Sequence, residues 1–148
     1  MRAETPEKNS KLRRGYTTGA CATATSLAAA TFLLEGRTLV SIDITLPQQK
    51  IVSFSLSYCR RSSNKNEACS ATIKDAGDDP DVTHQAEIVA TVKLTSEAGV
   101  VFIAGAGVGT VTRAGLALAI GEPAINPVPR EMIRTHLGKL ALHANYNG

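Results

Sequence analysis

TGACATATSLAAATFLLE, residues 18–35, is the stretch on which the fold turns. Alanine-rich turns favour a helix, Thr17 or Thr18 is placed to cap its start, and Gly36 can end it in the left-handed conformation. Its first two turns hold almost only small residues: Gly19, Ala20, Cys21, Ala22 and Ala24. Such a face lets a sheet, another helix or a ligand come close, and tight internal packing is the commoner use. Beyond Gly36 the period changes. In LVSIDITL (39–46), Val40, Ile42, Ile44 and Leu46 alternate with Ser41, Asp43 and Thr45. After PQQK, Val52, Phe54 and Leu56 alternate with serines, so a β-hairpin is expected directly after the helix.

Downstream, RRSSNKNE (60–67) reads as a solvated loop, a strand is expected over Cys69–Ile73, and another around Ile88, Val92 and Leu94. Gly99 opens the apolar run VVFIAG, and residues 110–129 hold enough glycine and proline to be extended or looped. Asn126 followed by Pro127 makes a helix start, and Met132, Ile133, Leu137, Leu140 and Ala141 fall on one face of a terminal helix. The order of elements predicts an α+β fold. It would be a mixed, largely antiparallel sheet packed with helices at about residues 18–35 and 127–143. Residues 1–12 are expected to form a flexible lead-in and 13–148 a single domain.

Bulk properties narrow the function classes. At 148 residues the chain can bury roughly 70% of the surface it exposes when unfolded. A net charge of +3 without any run of five basic residues, and aromatics at only 4%, argue against nucleic acid as partner. Three cysteines without a CxxC pair argue against a disulfide framework or structural zinc and fit a reducing cytoplasm. The first residues lack the apolar core of a signal peptide, and no stretch nears the about 18 apolar residues of a membrane span.

Three polar stretches carry the chemistry. In LRRGYTTGACATAT (12–25), Arg13 and Arg14 precede a turn onto a helix N-terminus. The free amides of residues 17–19 (Thr17, Thr18, Gly19) and the positive dipole end, beside two guanidinium groups, suit an anion. It is not a Walker loop, lacking the Gly-Lys-Ser/Thr ending. In KDAGDDPDVTH (74–84), Asp75, Asp78, Asp79 and Asp81 crowd into seven positions beside His84. An EF-hand from Asp75 would meet Pro80 at its sixth position and Ala86 at its twelfth, which excludes that calcium site. Zinc would find only His84 nearby. No protein-bound metal is expected. Turn chemistry accounts for one or two of these acids; keeping all four against mutual repulsion favours a cation, a donor array or a substrate, and both readings stand. The third stretch, GEPAINPVPRE (121–131), sets Glu122, Asn126 and Arg130 on a proline-stiffened path. The glycines of AGAGVGTVTRAG (104–115) fail the dinucleotide pattern, because Thr110 stands where the third glycine belongs.

Taken in order, RRGYTTGACATAT, KDAGDDPDVTH and GVGTVTRAGLALAIGEPAINPVPREMI closely resemble the CbiD family from about Leu12 to Ile133. A departure is Gln85, where members commonly carry glycine. The resemblance implies a cobalt-precorrin-5B C1-methyltransferase of anaerobic cobalamin synthesis. Its methyl donor would be S-adenosylmethionine, and cobalt would enter only as part of the substrate. It also implies a ribosomal-protein-like first domain, normally followed by an α/β domain that this chain lacks. On that reading Arg13, Arg14, the 17–19 amides and Arg130 meet carboxylates of the corrin precursor. One or more of Asp75, Asp78, Asp79 and Asp81 holds the cationic donor, and His84 is a base or orienter. The alternative is a non-catalytic corrinoid- or anion-binding module that needs the second domain. Homo-oligomerisation is left open.

Overall fold

Thr17, extended at φ −73° and ψ 161°, accepts the Ala20 N–H on its hydroxyl at 3.0 Å and starts α1, Thr18–Glu35. The structure, a computed structural model, describes residues 17–62, 64–74, 87–103, 127–146 and 148. Gly36 ends α1 at φ 71°, its N–H donating to the Phe32 carbonyl at 2.9 Å. Both helix ends are where local chemistry put them.

Burial on α1 is not confined to one stripe. Cys21, Thr23, Ala24, Thr25, Ala28, Ala29 and Thr31 are all buried, and they surround the helix axis. A helix can be enclosed on all sides only if its polar groups are satisfied within it. The threonines achieve this by donating back one turn: Thr23 to the Gly19 carbonyl at 2.8 Å, Thr25 to Cys21 at 3.1 Å and Thr31 to Leu27 at 2.7 Å. Alanine and threonine are also short, so several elements can pack on one helix.

Among the described residues those elements are two antiparallel sheets and a second helix. Strands β1 (Ser41–Thr45) and β2 (Ile51–Ser55) pair from Ser41↔Ser55 to Thr45↔Ile51. Ile44, Val52 and Phe54 point inward and are buried, while Ser41, Asp43, Ser53 and Ser55 are exposed, as the alternation predicts. Strands β3 (Tyr58–Arg61), β4 (Glu67–Ile73) and β5 (Glu87–Lys93) form the other sheet, with β4 central. Helix α2 spans Pro127–His143. The α+β expectation holds, with the strands divided between two sheets.

β3 corrects the sequence reading, which gave Arg60 and Arg61 to a loop. Both are strand residues, paired with Cys69 and Ala68. A four-residue strand ending in two arginines has no alternation of its own; the edge of β4 supplies its hydrogen bonds. Aromatic rings supply the rest, since Arg60 lies 4.1 Å over Tyr58 and Arg61 5.1 Å over Phe32 of α1. β4 also begins two residues before the expected Cys69.

The central cluster is Ala20, Cys21, Ala24, Ile44, Val52 and Phe54, with Leu27, Ile42, Ile88 and Met132 packed around it. Burying a side chain such as Ile44, 2% exposed, stabilises the fold by about 1.5–3 kcal/mol. Of the expected apolar face of α2, only Ile133 is fully buried; Met132, Leu137, Leu140 and Ala141 are half-buried. A polar strut adds to this packing. His136 Nδ1–H donates to the Met132 carbonyl at 2.7 Å, and Nε2 accepts the Thr45 N–H at 3.0 Å, tying α2 to the end of β1.

Candidate functional site

Gly19 marks where the start of α1 meets the start of α2. A Cβ built on it would sit 2.7 Å from Cγ and 3.0 Å from Cβ of Pro129. No side chain fits there without displacement. The glycine is what lets the first turn of α1 abut the first turn of α2. Thr17 and Thr18 beside it are exposed and Gly19 is half-buried. The Thr17 hydroxyl is used on Ala20, which leaves the amides of Thr18 and Gly19 without intrahelical acceptors. No acid sits in this first turn to offset the positive end of the dipole.

The acid-rich stretch starts at the same end. At the end of β4, Lys74 is buried, 3% exposed. Its charge acts on Cys21, one turn into α1. Burial nevertheless pushes the Cys21 thiol up to about 11, against the opposing pull of Lys74, so it stays protonated and is no nucleophile at neutral pH. Ile73 pairs with Glu87, and Ile88 packs against the core beside Ala20 and Cys21. The two strand ends that flank residues 75–86 therefore lie together beside the α1 N-terminus.

Of the expected site residues, Thr17, Thr18, Gly19 and Arg130 are described. Arg13, Arg14, Asp75, Asp78, Asp79, Asp81, His84, Glu122 and Asn126 lie outside the described residues. Arg130, half-buried in the first turn of α2, has its guanidinium 5.3 Å from the Phe102 ring centre. Arg134 lies 5.1 Å from the same centre. Sequence reasoning passed over Arg134, Phe102 and Lys74. The four-residue spacing of the arginines and the in-out alternation through ATIK were the signals available.

Between β2 and the end of β4 lies a groove of about 360 Å³. Ser53, Ser55, Ser57 and Thr72 line it with Phe54 and Ile73, and no charged group stands in its wall. The Thr72 hydroxyl donates to the Ser55 carbonyl at 2.6 Å and closes one end. Among the described residues no group of three His, Cys, Asp or Glu side chains could hold a metal, and no helix is long and apolar enough to cross a membrane.

Comparison with known proteins extends this picture. The family model described as CbiD matches residues 5–146. Relatives described as cobalt-precorrin-5B C(1)-methyltransferase include those of Burkholderia multivorans, 61% identical, and Pseudomonas putida, 57% identical, each over all 148 residues. The chain spans 40% of the length of these curated relatives. A similar solved structure is the cobalamin biosynthesis protein CbiD of Archaeoglobus fulgidus. It is 27% identical with a TM-score of 0.65, over 93% of this chain and 42% of that one.

Proposed function

From the premise that the chain belongs to the CbiD family, we propose that it is the substrate-contacting first domain of an enzyme that methylates C1 of cobalt-precorrin-5B. Identity of 57–61% to relatives with that name supports the activity. The carrying observation is the Gly19–Pro129 crossing. It brings the first turn of α1, with its open amides, against the first turn of α2, which carries Arg130.

The precursor ring bears many carboxylates, which need fixed donors. Arg13, Arg14, the amides of Thr18 and Gly19, and Arg130 fill that role by charge-assisted hydrogen bonds, with Glu122 and Asn126 orienting the ring edge. Thr17 keeps the amides in place through its cap. S-adenosylmethionine, when bound, would supply an electrophilic methyl group on its sulfonium sulfur for transfer to ring carbon C1, the sulfur leaving as a thioether. Catalysis of such a displacement is positioning and electrostatics. Carboxylates among Asp75, Asp78, Asp79 and Asp81 hold the donor's positive charge or its ribose hydroxyls, and His84 orients or accepts a proton. Three free cysteines fit a reducing cytoplasm as its place of work.

The experiment is calorimetric titration of the chain with a polycarboxylate corrinoid. Arg14→Glu weakens binding by at least about tenfold, the worth of one charged hydrogen bond. Unchanged affinity overturns the assignment. A second reading is a corrinoid- or anion-binding module without catalysis of its own. Mass spectrometry after incubation with cobalt-precorrin-5B and S-adenosylmethionine separates the two. One methyl added per ring by this chain alone rules the module out.

A further inference from the structure

We propose that the groove between β2 and the end of β4 receives an aminopurine nucleoside, the adenosine half of the methyl donor. The inference rests on the proposed function and deepens it, because it names the part of this chain that holds the donor's uncharged end.

The outer edge of β2 carries the argument. The Leu46 N–H donates to the Lys50 carbonyl and the Leu56 N–H to the Val40 carbonyl. In this antiparallel register the backbone groups of Val52 and Phe54 therefore face β1, and those of Ser53 and Ser55 face away from it. The Thr72 hydroxyl marks that outward direction, since it donates to the Ser55 carbonyl from the wall of β4 at 2.6 Å. Among the described residues the Ser53 N–H, the Ser53 carbonyl and the Ser55 N–H have no partner. All three belong to residues that line the groove.

An open strand edge can pair with an added strand or with a planar heterocycle that carries its own donor and acceptor. This edge favours the heterocycle. A typical strand runs about 5–6 residues, whereas here Thr72 takes the Ser55 carbonyl and the next outward N–H, that of Ser57, is spent on the Ala71 carbonyl. A carbonyl flanked by two amides remains. The 6-amino group of adenine donates and the ring nitrogen beside it accepts, which matches the Ser53 carbonyl and the Ser55 N–H.

The rest of the lining agrees with that ligand. The volume of about 360 Å³ falls among those of small-molecule sites. Phe54, Leu56 and Ile73 give a ring apolar surface, the hydroxyls of Ser53, Ser57 and Thr72 suit those of a ribose, and the uncharged wall does not compete for the corrin's carboxylates. Phe54 packs in one cluster with Ala20 and Cys21, so the groove backs onto the first turn of α1, where those carboxylates are assigned.

The probes are adenosine, inosine and the peptide IVSFS, a copy of β2, each titrated into the intact chain with amide shifts read by NMR. Adenosine is expected to shift the Ser53 and Ser55 amides. Inosine, whose 6-oxo group sets an acceptor against the Ser53 carbonyl, should bind about tenfold more weakly. Ser55→Leu fills the groove; it should bind adenosine at least about tenfold more weakly and a polycarboxylate corrinoid as well as wild type does, with its fold checked by circular dichroism. Adenosine that leaves both amides unmoved, or that binds Ser55→Leu as it binds wild type, overturns the inference. Inosine binding as well as adenosine overturns the aminopurine assignment. If the peptide shifts the two amides and adenosine does not, the edge takes a strand instead. Each of these failures leaves the proposed function standing while the wild-type chain binds the corrinoid; a chain that does not bind it brings down the proposed function itself.

Discussion

Gly19 and Gly138 show how one residue type answers to two environments. Both lie inside helices, where replacing glycine with alanine normally stabilises by up to about 1 kcal/mol. At Gly138 nothing stands within 4 Å of an added Cβ, so Gly138→Ala is expected to raise the denaturant midpoint by that mechanism. At Gly19 the added Cβ meets the Pro129 ring at 2.7 Å. Overpacking of this kind costs about 1–3 kcal/mol, more than propensity returns, so Gly19→Ala is expected to lower the midpoint. The double variant Gly19→Ala with Pro129→Ala should recover most of the loss. Opposite signs at the two glycines, measured by chemical denaturation, are the check. Equal stabilisation at both would mean that α1 and α2 do not cross at Gly19. The candidate residues at this crossing, Thr17, Thr18, Gly19 and Arg130, were picked out in the sequence by their types. Arg134 was not, because its partner Phe102 is 32 positions away in sequence and only packing brings the two together.

Between elements, the contact open to a clean test is the His136 strut. Its Nε2 accepts the backbone N–H of Thr45, at the last position of β1, while Nδ1–H is spent on its own helix. An outward-facing strand amide is thereby satisfied by a side chain of α2. Removing the acceptor leaves that amide unpaired, at a cost of about 1–3 kcal/mol. His136→Ala is expected to lose stability on that scale and to speed hydrogen exchange at Thr45. A glutamine there can still present an acceptor, so His136→Gln should keep Thr45 protected more fully than alanine does. Equal exchange in wild type and His136→Ala would show that the strut does not hold the hairpin. At this scale the sequence was uneven. α1 and the β1–β2 hairpin were legible because caps, a left-handed glycine and alternation are local signals. β3 was invisible, because its strand character is lent by β4.

For the molecule as a whole, enclosing α1 couples alkaline pH to stability. Burial raises the Cys21 thiol from the ordinary 9.0 to about 11. A group whose folded value lies above its unfolded value favours the fold in its protonated form. That contribution is complete below pH 9.0 and is lost as pH rises through about 11. Unfolding free energy measured across this window is expected to fall less steeply in Cys21→Ala than in wild type. Parallel slopes would mean that the thiol ionises as freely in the folded chain as in the unfolded one. The cause is architectural: a helix of small residues sits among two sheets and another helix, and its one thiol near the N-terminus is shut away beside Lys74.

By itself the sequence determined the elements whose signals are short-range: α1 with both caps, the β1–β2 hairpin with its inward faces, the extent of α2, and the motifs that mark the family. Only the tertiary structure decided that the strands split into two sheets, that β3 exists, that Lys74 is buried against α1, and that Arg130 and Arg134 share one aromatic ring. The reason is one of range. Capping, backbone conformation and periodicity act within a few residues, whereas burial and the pairing of charges depend on which distant segment comes to lie alongside.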